Sequence, residues 1–178
     1  MTTTIVLVGA FASGKSSLLE AIVTGRTNYP TVTIMANIRK FKNLLFYDIS
    51  GGNQFQLMIQ SLIEKATIII YCVDLSSPMA LFYYHTTPFN VPVILVFTKS
   101  DLPCLYLEVE VQNFINRLDP VDVITVSVAN QPFQAGVKVF QAINRILPLS
   151  LPLSKKKKQN WKSWLCCWDQ TNLSTSFI

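Results

Sequence analysis

Residues 9–16 read G-A-F-A-S-G-K-S, which fits the pattern G-x-x-x-x-G-K-[ST], and they directly follow an apolar run at residues 5–8. Leu18, Ala21 and Ile22 come next at helical spacing, so a strand, a loop and a helix are predicted in that order. In such a unit several backbone N–H groups converge on one point, where the helix dipole also favours negative charge. The pattern therefore predicts a loop that binds the phosphates of a nucleotide.

The side chains and the backbone of this loop have different predicted roles. The Lys15 ammonium is expected to reach the β- and γ-phosphates, and the Ser16 hydroxyl is expected to coordinate Mg²⁺. The other predicted phosphate contacts lie at Gly9, Ala12, Ser13, Gly14 and Ser17.

A second motif, D-I-S-G-G at residues 48–52, follows the apolar run at residues 44–47. An aspartate in this place can hold Mg²⁺ through a water molecule. A glycine leaves its backbone N–H open to a γ-phosphate, because no side chain blocks the approach. We therefore predict that Asp48 is a metal ligand and that Gly51 meets the γ-phosphate.

A third motif, T-K-S-D at residues 98–101, follows the apolar run at residues 91–97. A carboxylate accepts two hydrogen bonds from the N1–H and the 2-amino group of guanine, whereas adenine lacks this pair of donors. Asp101 is therefore predicted to select guanine. The segment S-V-A-N at residues 127–130 follows the next apolar run and is placed to close over the base.

The order and the positions of these motifs resemble those of the Ras-superfamily small GTPases over roughly residues 1–147. The first motif matches fully, Asp48 and Gly51 match the family's D-x-x-G, and T-K-S-D matches its N-K-x-D in a variant also seen in the Rho branch. The family's S-A-K motif is matched only weakly, by Ser127, Val128 and Ala129. The resemblance implies that the bound cofactors are GTP or GDP and Mg²⁺. The base-side contacts that it implies are Thr98, Lys99, Asp101, Ser127, Val128 and Ala129.

Pro30 and Thr31 resemble the P-T pair of Arf and Rab proteins, whose threonine binds Mg²⁺ and senses the γ-phosphate. The resemblance thus implies that Thr31 is a third metal ligand, that residues 26–35 form a first switch segment and that residues 48–60 form a second. Because Arf-like, Rab-like and Rho-like features occur together, the subfamily stays open.

Two positions depart from the family in ways that affect catalysis. The glutamine that usually follows D-x-x-G and positions the attacking water is replaced by Gly52, and Gln54 cannot be assumed to take its place. Phe11 stands where Ras carries a glycine, and a larger side chain there hinders the arginine finger of a GTPase-activating protein. We therefore expect very slow GTP hydrolysis and assign no catalytic residue.

A third departure is the short stretch between residues 74 and 98, whose middle carries no acidic or basic residue apart from His85. The helix of this crossover is expected to be reduced, which favours an exposed apolar patch. His85 is expected to be a packed or surface residue and not a catalytic base.

Five apolar runs predict buried strands, since most of them do not alternate with polar residues. These runs are residues 5–8, 44–47, 66–73, 91–97 and 121–126. A further strand is predicted at residues 34–41, paired with the run at residues 44–47 as a hairpin.

Helices are predicted at three further places: around residues 55–62, around residues 111–118, and at residues 136–147, where Pro148 ends the last one. Alternating strands and helices imply right-handed crossovers. The predicted fold class is α/β: a single P-loop GTPase domain whose mostly parallel six-stranded sheet has one antiparallel edge strand and helices on both faces.

The composition of the 178 residues favours one cytosolic domain. Half of the residues are hydrophobic and 14 % are charged, which suits a sheet covered on both faces. The longest candidate membrane run, residues 66–73, is far shorter than the roughly 20 residues that span a bilayer. The first ten residues hold no Lys or Arg, so no secretory signal is expected, and four cysteines without metal-type spacing favour a reducing compartment.

The positive charge is concentrated in residues 148–178, which we predict to form a tail after the domain at residues 1–147. The tail holds five Lys against Asp169, whereas the domain holds ten Lys and Arg against nine Asp and Glu. A nucleic-acid-binding core is therefore not expected.

An apolar face is predicted in this tail, after the four lysines at residues 155–158. Three tryptophans and a leucine recur there at helical spacing, and tryptophan favours the membrane interface. Cys166 and Cys167 beside this face are candidates for S-palmitoylation. The tail is thus interpreted as an anchor to an anionic membrane, with docking to a protein surface or plain disorder as the alternatives.

Three functions fit these observations. The first is a GTP-binding switch in signalling or membrane trafficking, with effector, exchange-factor and GTPase-activating proteins as partners. The second is a pseudo-GTPase adaptor that keeps its nucleotide as a structural element at a membrane. The third, a P-loop ATPase or nucleotide kinase, is disfavoured by T-K-S-D and by the lack of an Arg-rich lid segment.

Overall fold

The computed structural model describes residues 3–27, 33, 36–52, 56–82 and 89–147. By compactness the chain divides into two units, Met1–Pro148 and Leu149–Ile178, and the second lies outside the described residues. The predictions for Thr31, Gln54, His85, Cys166 and Cys167 also fall outside the described residues.

Within its described residues the first unit forms six strands and four helices. In chain order these are β1 Thr3–Val8, α1 Lys15–Thr24, β2 Ala36–Phe41, β3 Leu44–Ile49, α2 Gln56–Ile63, β4 Ile68–Asp74, β5 Val93–Thr98, α3 Glu108–Leu118, β6 Asp122–Thr125 and α4 Pro132–Ile146. The sheet order is β2-β3-β1-β4-β5-β6, with β2 antiparallel to β3 and every other pair parallel. The predicted fold class is confirmed.

Element boundaries differ most from the prediction at the last helix, which starts at Pro132 and not at Gly136. Proline suits the first turn of a helix, because the N–H that it lacks would have no partner there and its fixed φ already fits. Gly136 instead lies inside α4, where an added Cβ would be 2.3 Å from the Ala21 carbonyl oxygen. The glycine therefore lets α1 and α4 pack closely.

The hydrophobic core on this face of the sheet joins α1 and α4 to the central strands. Its members include Leu18, Ile22, Ile70, Val139 and Ile143, all buried. All seven residues of β4 are buried, as expected for a central parallel strand covered on both faces. None of the described helices is both long enough and apolar enough to cross a membrane.

The opposite face of the sheet holds an aromatic cluster. The buried Tyr71 ring of β4 makes edge contacts with Phe89, at 6.1 Å between centroids, and with Phe114 of α3, at 6.0 Å. The described residues of the crossover between β4 and β5, 75–82 and 89–92, contain no helix, so the expected reduction is found in that part of the chain. Met79 and Phe82 are exposed there.

The parallel strands place all predicted motifs at one edge of the sheet. Strands β1, β3, β4, β5 and β6 run in the same direction, so their carboxyl ends meet at that edge. These strand ends and the segments after them carry the phosphate loop, D-I-S-G-G, T-K-S-D and S-V-A-N. Ligands of open α/β sheets bind at this edge.

Candidate functional site

The phosphate loop has the backbone shape that an anion site requires. Gly9, Ala12 and Gly14 all have positive φ, at 146°, 58° and 83°, and such turns of the backbone allow neighbouring N–H groups to converge on an anion. A Cβ at Gly9 would lie 2.2 Å from the carbonyl oxygen of Cys72 in β4, so glycine is required there by space as well as by φ. Burial raises the pKa of that Cys72 thiol to about 12, so it is no nucleophile at neutral pH.

Lys15 is buried beneath the loop and is held by the loop itself. Its Nζ donates to the carbonyl oxygens of Gly9, at 3.0 Å, and Ala10, at 2.7 Å, and to the Ser13 hydroxyl, at 3.3 Å. Burial lowers the pKa of Lys15, and the nearby Asp48 carboxylate works in the opposite direction. The ammonium is thus fixed in the cleft before any phosphate arrives, which lowers the ordering cost of binding an anion.

Three oxygen-bearing side chains meet where a cation is predicted. The Ser16 and Thr33 hydroxyl oxygens are 2.9 Å apart, and Thr33 donates a 3.3 Å hydrogen bond to Oδ2 of Asp48. Asp48 is 0 % exposed, and within the described part of the chain its Oδ1 has no hydrogen-bond partner. A buried, unpartnered carboxylate oxygen costs free energy unless a ligand or water satisfies it. These residues fit a hard divalent cation such as Mg²⁺, which prefers oxygen ligands and keeps several waters.

The protonation of Asp48 reflects this setting. Burial raises its pKa, and hydrogen bonds from Ser16 and Thr33 and the positive charge of Lys15 act against that rise. A bound cation would favour the ionised carboxylate, since metal ligands must be deprotonated.

Thr33 was missed by the sequence interpretation, which selected Thr31 by resemblance. The two threonines occur in the short segment T-V-T and carry the same chemistry, so sequence alone gives no reason to choose the second. Thr31 lies outside the described residues, and its role stays a prediction. The hydroxyl that the structure places beside Ser16 and Asp48 belongs to Thr33.

Gly51 lies directly against the phosphate loop. A Cβ there would be 2.5 Å from the Gly9 carbonyl oxygen, 2.4 Å from the Ala10 carbonyl carbon and 2.5 Å from the Phe11 nitrogen. A side chain at this position would collide with the loop backbone, and the contact of Gly51 with a γ-phosphate stays a prediction.

A cleft of about 290 Å³ opens between these segments, and the Phe11 side chain on its wall is 61 % exposed. Most of the predicted phosphate-side residues line this cleft. They are Ala12, Ser13, Gly14, Lys15, Ser16, Ser17 and Gly51, joined by Phe11, Thr33, Ile49 and Ser50 and by Lys99 of the predicted base-side group.

The T-K-S-D segment is tied to the phosphate loop at its first residue. The buried Thr98 hydroxyl lies 2.8 Å from the Ser13 carbonyl oxygen and 3.2 Å from that of Val73, and it donates to both. Lys99 follows with a φ of +52°, and its Nζ lies 2.7 Å from Oδ2 of Asp74.

Apart from Lys99, the predicted base-side residues form a group separate from those that line the cleft. Asp101 is exposed, and Ser100 N–H donates a 3.2 Å hydrogen bond to the Val126 carbonyl, which joins T-K-S-D to the loop after β6. In that loop the Ser127 hydroxyl accepts a 3.1 Å bond from the backbone N–H of Asn130. Asp101 and residues 127–129 do not belong to the wall of the cleft described above.

Within this group the predicted contacts at Val128 and Ala129 differ in character. The Val128 side chain belongs to the hydrophobic core, so only its backbone remains available to a ligand. Ala129 is exposed.

Asp74 is a second residue that the sequence interpretation missed. It ends β4, just as Asp48 lies near the end of β3, and both carboxylates are buried at the edge where ligands bind. A polar residue that directly follows a long apolar run was the signal that could have identified it.

This geometry defines the class of protein. A strand, a positive-φ glycine loop with a buried lysine and a helix, faced by an aspartate and a glycine from the neighbouring strand, make a P-loop nucleotide-binding α/β domain.

More than half of the chain matches a known protein family. A family model described as "50S ribosome-binding GTPase" matches residues 4–99, which is more than half of the chain. The protein belongs to this family of P-loop GTPases and binds guanine nucleotide. The match extends from β1 to Lys99 and so includes the phosphate loop, Asp48 and Gly51. No curated protein matches the chain closely enough to serve as a relative.

Proposed function

We propose that the protein is a Mg²⁺-dependent guanine-nucleotide switch of the small GTPase type. The observation that supports this most is the Thr33 hydroxyl, which touches Ser16 of the phosphate loop and Asp48 of the D-x-x-G motif at once. We propose that the Thr33 hydroxyl binds beside the phosphates of the nucleotide. The γ-phosphate of GTP would then order the segment that carries Thr33, and loss of that phosphate would release it.

The same three side chains are the proposed Mg²⁺ ligands. Ser16 and Thr33 offer hydroxyl oxygens, and Asp48 offers a buried carboxylate that binds through water. Held by these residues, the ion would neutralise part of the negative charge of the nucleotide's phosphates. Thr31 remains the alternative to Thr33 as the switch threonine.

We further propose that GTP hydrolysis is slow. Gly52 offers no side chain to orient an attacking water, and the exposed Phe11 ring stands on the wall of the cleft. An arginine finger from a partner accelerates hydrolysis about 10³- to 10⁵-fold in related enzymes, and a phenylalanine in its path removes that route.

Single-turnover hydrolysis of bound GTP tests this proposal. We expect the protein to hydrolyse GTP more slowly than about 4 × 10⁻⁴ s⁻¹, which is the intrinsic rate of an ordinary Ras-like GTPase. Gly52→Gln should increase the rate, and Gly52→Ala is the matched control that adds a side chain without an amide. A wild-type rate equal to the Ras-like value would contradict slow hydrolysis.

A pseudo-GTPase adaptor is the second candidate, and the same two residues, Phe11 and Gly52, favour it. The nucleotide extracted from the purified protein separates the two functions. Bound GDP supports turnover and bound GTP supports the pseudo-enzyme, whereas an adenine nucleotide would contradict both.

The proposed cellular role is signalling or membrane trafficking in the cytosol, with effector, exchange-factor and GTPase-activating proteins as partners. The four lysines at residues 155–158 support a tail that binds anionic membrane. Sedimentation with anionic vesicles, compared between the full chain and residues 1–148, tests this, and no difference between the two would contradict it. We do not propose that this protein binds the ribosome, as the family's description says of that family. Residues 1–147 carry a net charge of only +1, from ten basic and nine acidic residues, which does not favour binding to RNA.

A further inference from the structure

An ion pair joins Asp74 and Lys99 at the ends of two adjacent strands. Oδ2 of Asp74, the last residue of β4, lies 2.7 Å from Nζ of Lys99, which follows the last residue of β5. Asp74 and Thr98 are direct partners in the parallel register, so the pair crosses from one strand end to the next.

The carboxylate of Asp74 is rigidly placed. Its side chain is 8 % exposed, and its Oδ1 accepts hydrogen bonds from the backbone N–H of Ser76, at 3.0 Å, and from the Ser76 hydroxyl, at 2.5 Å. One oxygen is therefore occupied by its own turn, and the other is left for the ammonium of Lys99.

Lys99 connects this carboxylate to the nucleotide cleft. Lys99 lines the cleft together with the phosphate loop, and its side chain is 38 % exposed. Its φ of +52° is unusual for a residue with a Cβ. With the backbone fixed at the end of β5 and the ammonium fixed at the end of β4, the four-carbon stem must lie across the gap between the strands. A stem held in this way offers an apolar surface to a flat ligand while its charge stays paired.

We propose that Asp74 is a positioning residue for guanine-nucleotide retention: it fixes the Lys99 ammonium so that the lysine stem forms a wall of the site. This inference rests on the proposed function. Without the carboxylate, Lys99 retains its binding groups but samples many rotamers, and the nucleotide must order it again in each binding event.

The test is the dissociation rate of a fluorescent GDP analogue from the full-length protein at fixed Mg²⁺. Asp74→Asn keeps an oxygen for the Ser76 turn but removes the charge, and we expect dissociation about tenfold faster, as for the loss of one charge-assisted hydrogen bond. Lys99→Met should have at least as large an effect. The double variant should dissociate no faster than Lys99→Met alone, because Asp74 acts through the lysine.

The matched control is Asp122→Asn, which removes a different ion pair, the one between Asp122 and Arg145. Asp122 begins β6, whereas the site lies at the carboxyl ends of the strands, so its loss should leave GDP dissociation unchanged. If Asp74→Asn does not fold, Ser76→Ala replaces it, and this variant should speed dissociation only when Lys99 is present.

Two results would overturn the inference: a wild-type dissociation rate for the Asp74 variant, or an effect that adds fully to that of Lys99→Met. A purely structural role would lower the melting temperature of every Asp74 variant without this dependence on Lys99. If the wild-type protein itself retains no GDP analogue, the proposed function fails, which is distinct from failure of the Asp74 inference.

Discussion

The Thr98 hydroxyl donates a 2.8 Å hydrogen bond to the Ser13 carbonyl oxygen, and this bond joins the T-K-S-D motif to the phosphate loop. Both residues are buried, and the second acceptor, the Val73 carbonyl, lies 3.2 Å away. This hydroxyl therefore links the base-side and phosphate-side parts of the site directly. In the family that this sequence resembles, the same motif position usually carries an asparagine.

The Thr98 bond predicts the effect of Thr98→Val, which keeps the shape of the side chain and removes its donor. We expect the free energy of unfolding to fall by about 1–2 kcal/mol, because a buried carbonyl loses its partner. GDP dissociation should also become faster. Thr98→Ser, which keeps the hydroxyl, is the control for urea unfolding, and equal losses for the two variants would show that the hydrogen bond is not the cause.

Thr33 predicts the Mg²⁺ requirement of nucleotide binding. Thr33→Val removes the hydroxyl beside Ser16 and Asp48, and we expect the Mg²⁺ concentration needed for half-maximal GTP retention to rise about 10- to 100-fold. Thr31→Val is the matched control two residues away. A large effect of Thr31→Val with none for Thr33→Val would assign the switch threonine to Thr31.

Gly51 predicts a steric effect on GTP binding. In Gly51→Ala the new methyl group would meet the backbone of the phosphate loop at 2.4–2.5 Å, so the D-x-x-G segment must move away. We expect GTP affinity to fall about tenfold or more while GDP affinity changes little, since this glycine is proposed to meet the γ-phosphate. Titration of both nucleotides measures this, with Gly52→Ala as the neighbouring control. Equal losses for GTP and GDP would contradict the proposed role.

Asp74 predicts a pH dependence of stability. Although burial acts to raise its pKa, hydrogen bonds from Lys99 and Ser76 hold the pKa below its ordinary value of 3.8. A carboxyl group whose pKa is lowered by folding stabilises the folded state above the unfolded-state pKa, and the stabilisation is lost as the pH falls through the folded-state pKa. The wild-type protein should therefore have a higher free energy of unfolding than Asp74→Asn. This difference should be constant above about pH 5 and disappear in stronger acid.

The size of this advantage should be about 1 kcal/mol, since Lys99 is more than one third exposed and solvent weakens the pair. Urea unfolding of both proteins across this pH range measures it. An advantage that increases as the pH falls would contradict the ionised pair.

Much of the fold was predictable because the signals are local. Apolar runs without alternation identified the parallel strands, and the short connection at Lys42 and Asn43 identified the antiparallel hairpin of β2 and β3. The phosphate loop, Asp48 and Gly51 were predictable because each lies at or just after the carboxyl end of a strand that faces the site.

The remaining site residues depend on contacts between distant parts of the chain. Thr33 meets Ser16 across 17 positions and Asp48 across 15, and nothing in the local T-V-T segment favours it over Thr31. Asp74 acquires its partner only when β4 and β5 align side by side. The start of α4 at Pro132 was missed, although proline is favourable in the first turn of a helix.

The most direct test of the proposed switch is hydrogen exchange of the Mg²⁺-bound protein with GDP and with a non-hydrolysable GTP analogue. The proposal predicts that the GTP analogue protects the backbone around Thr33 and at residues 50–52 more strongly than GDP does, while the α1 and α4 core exchanges equally in both states. Identical protection of both segments with the two nucleotides would contradict a switch.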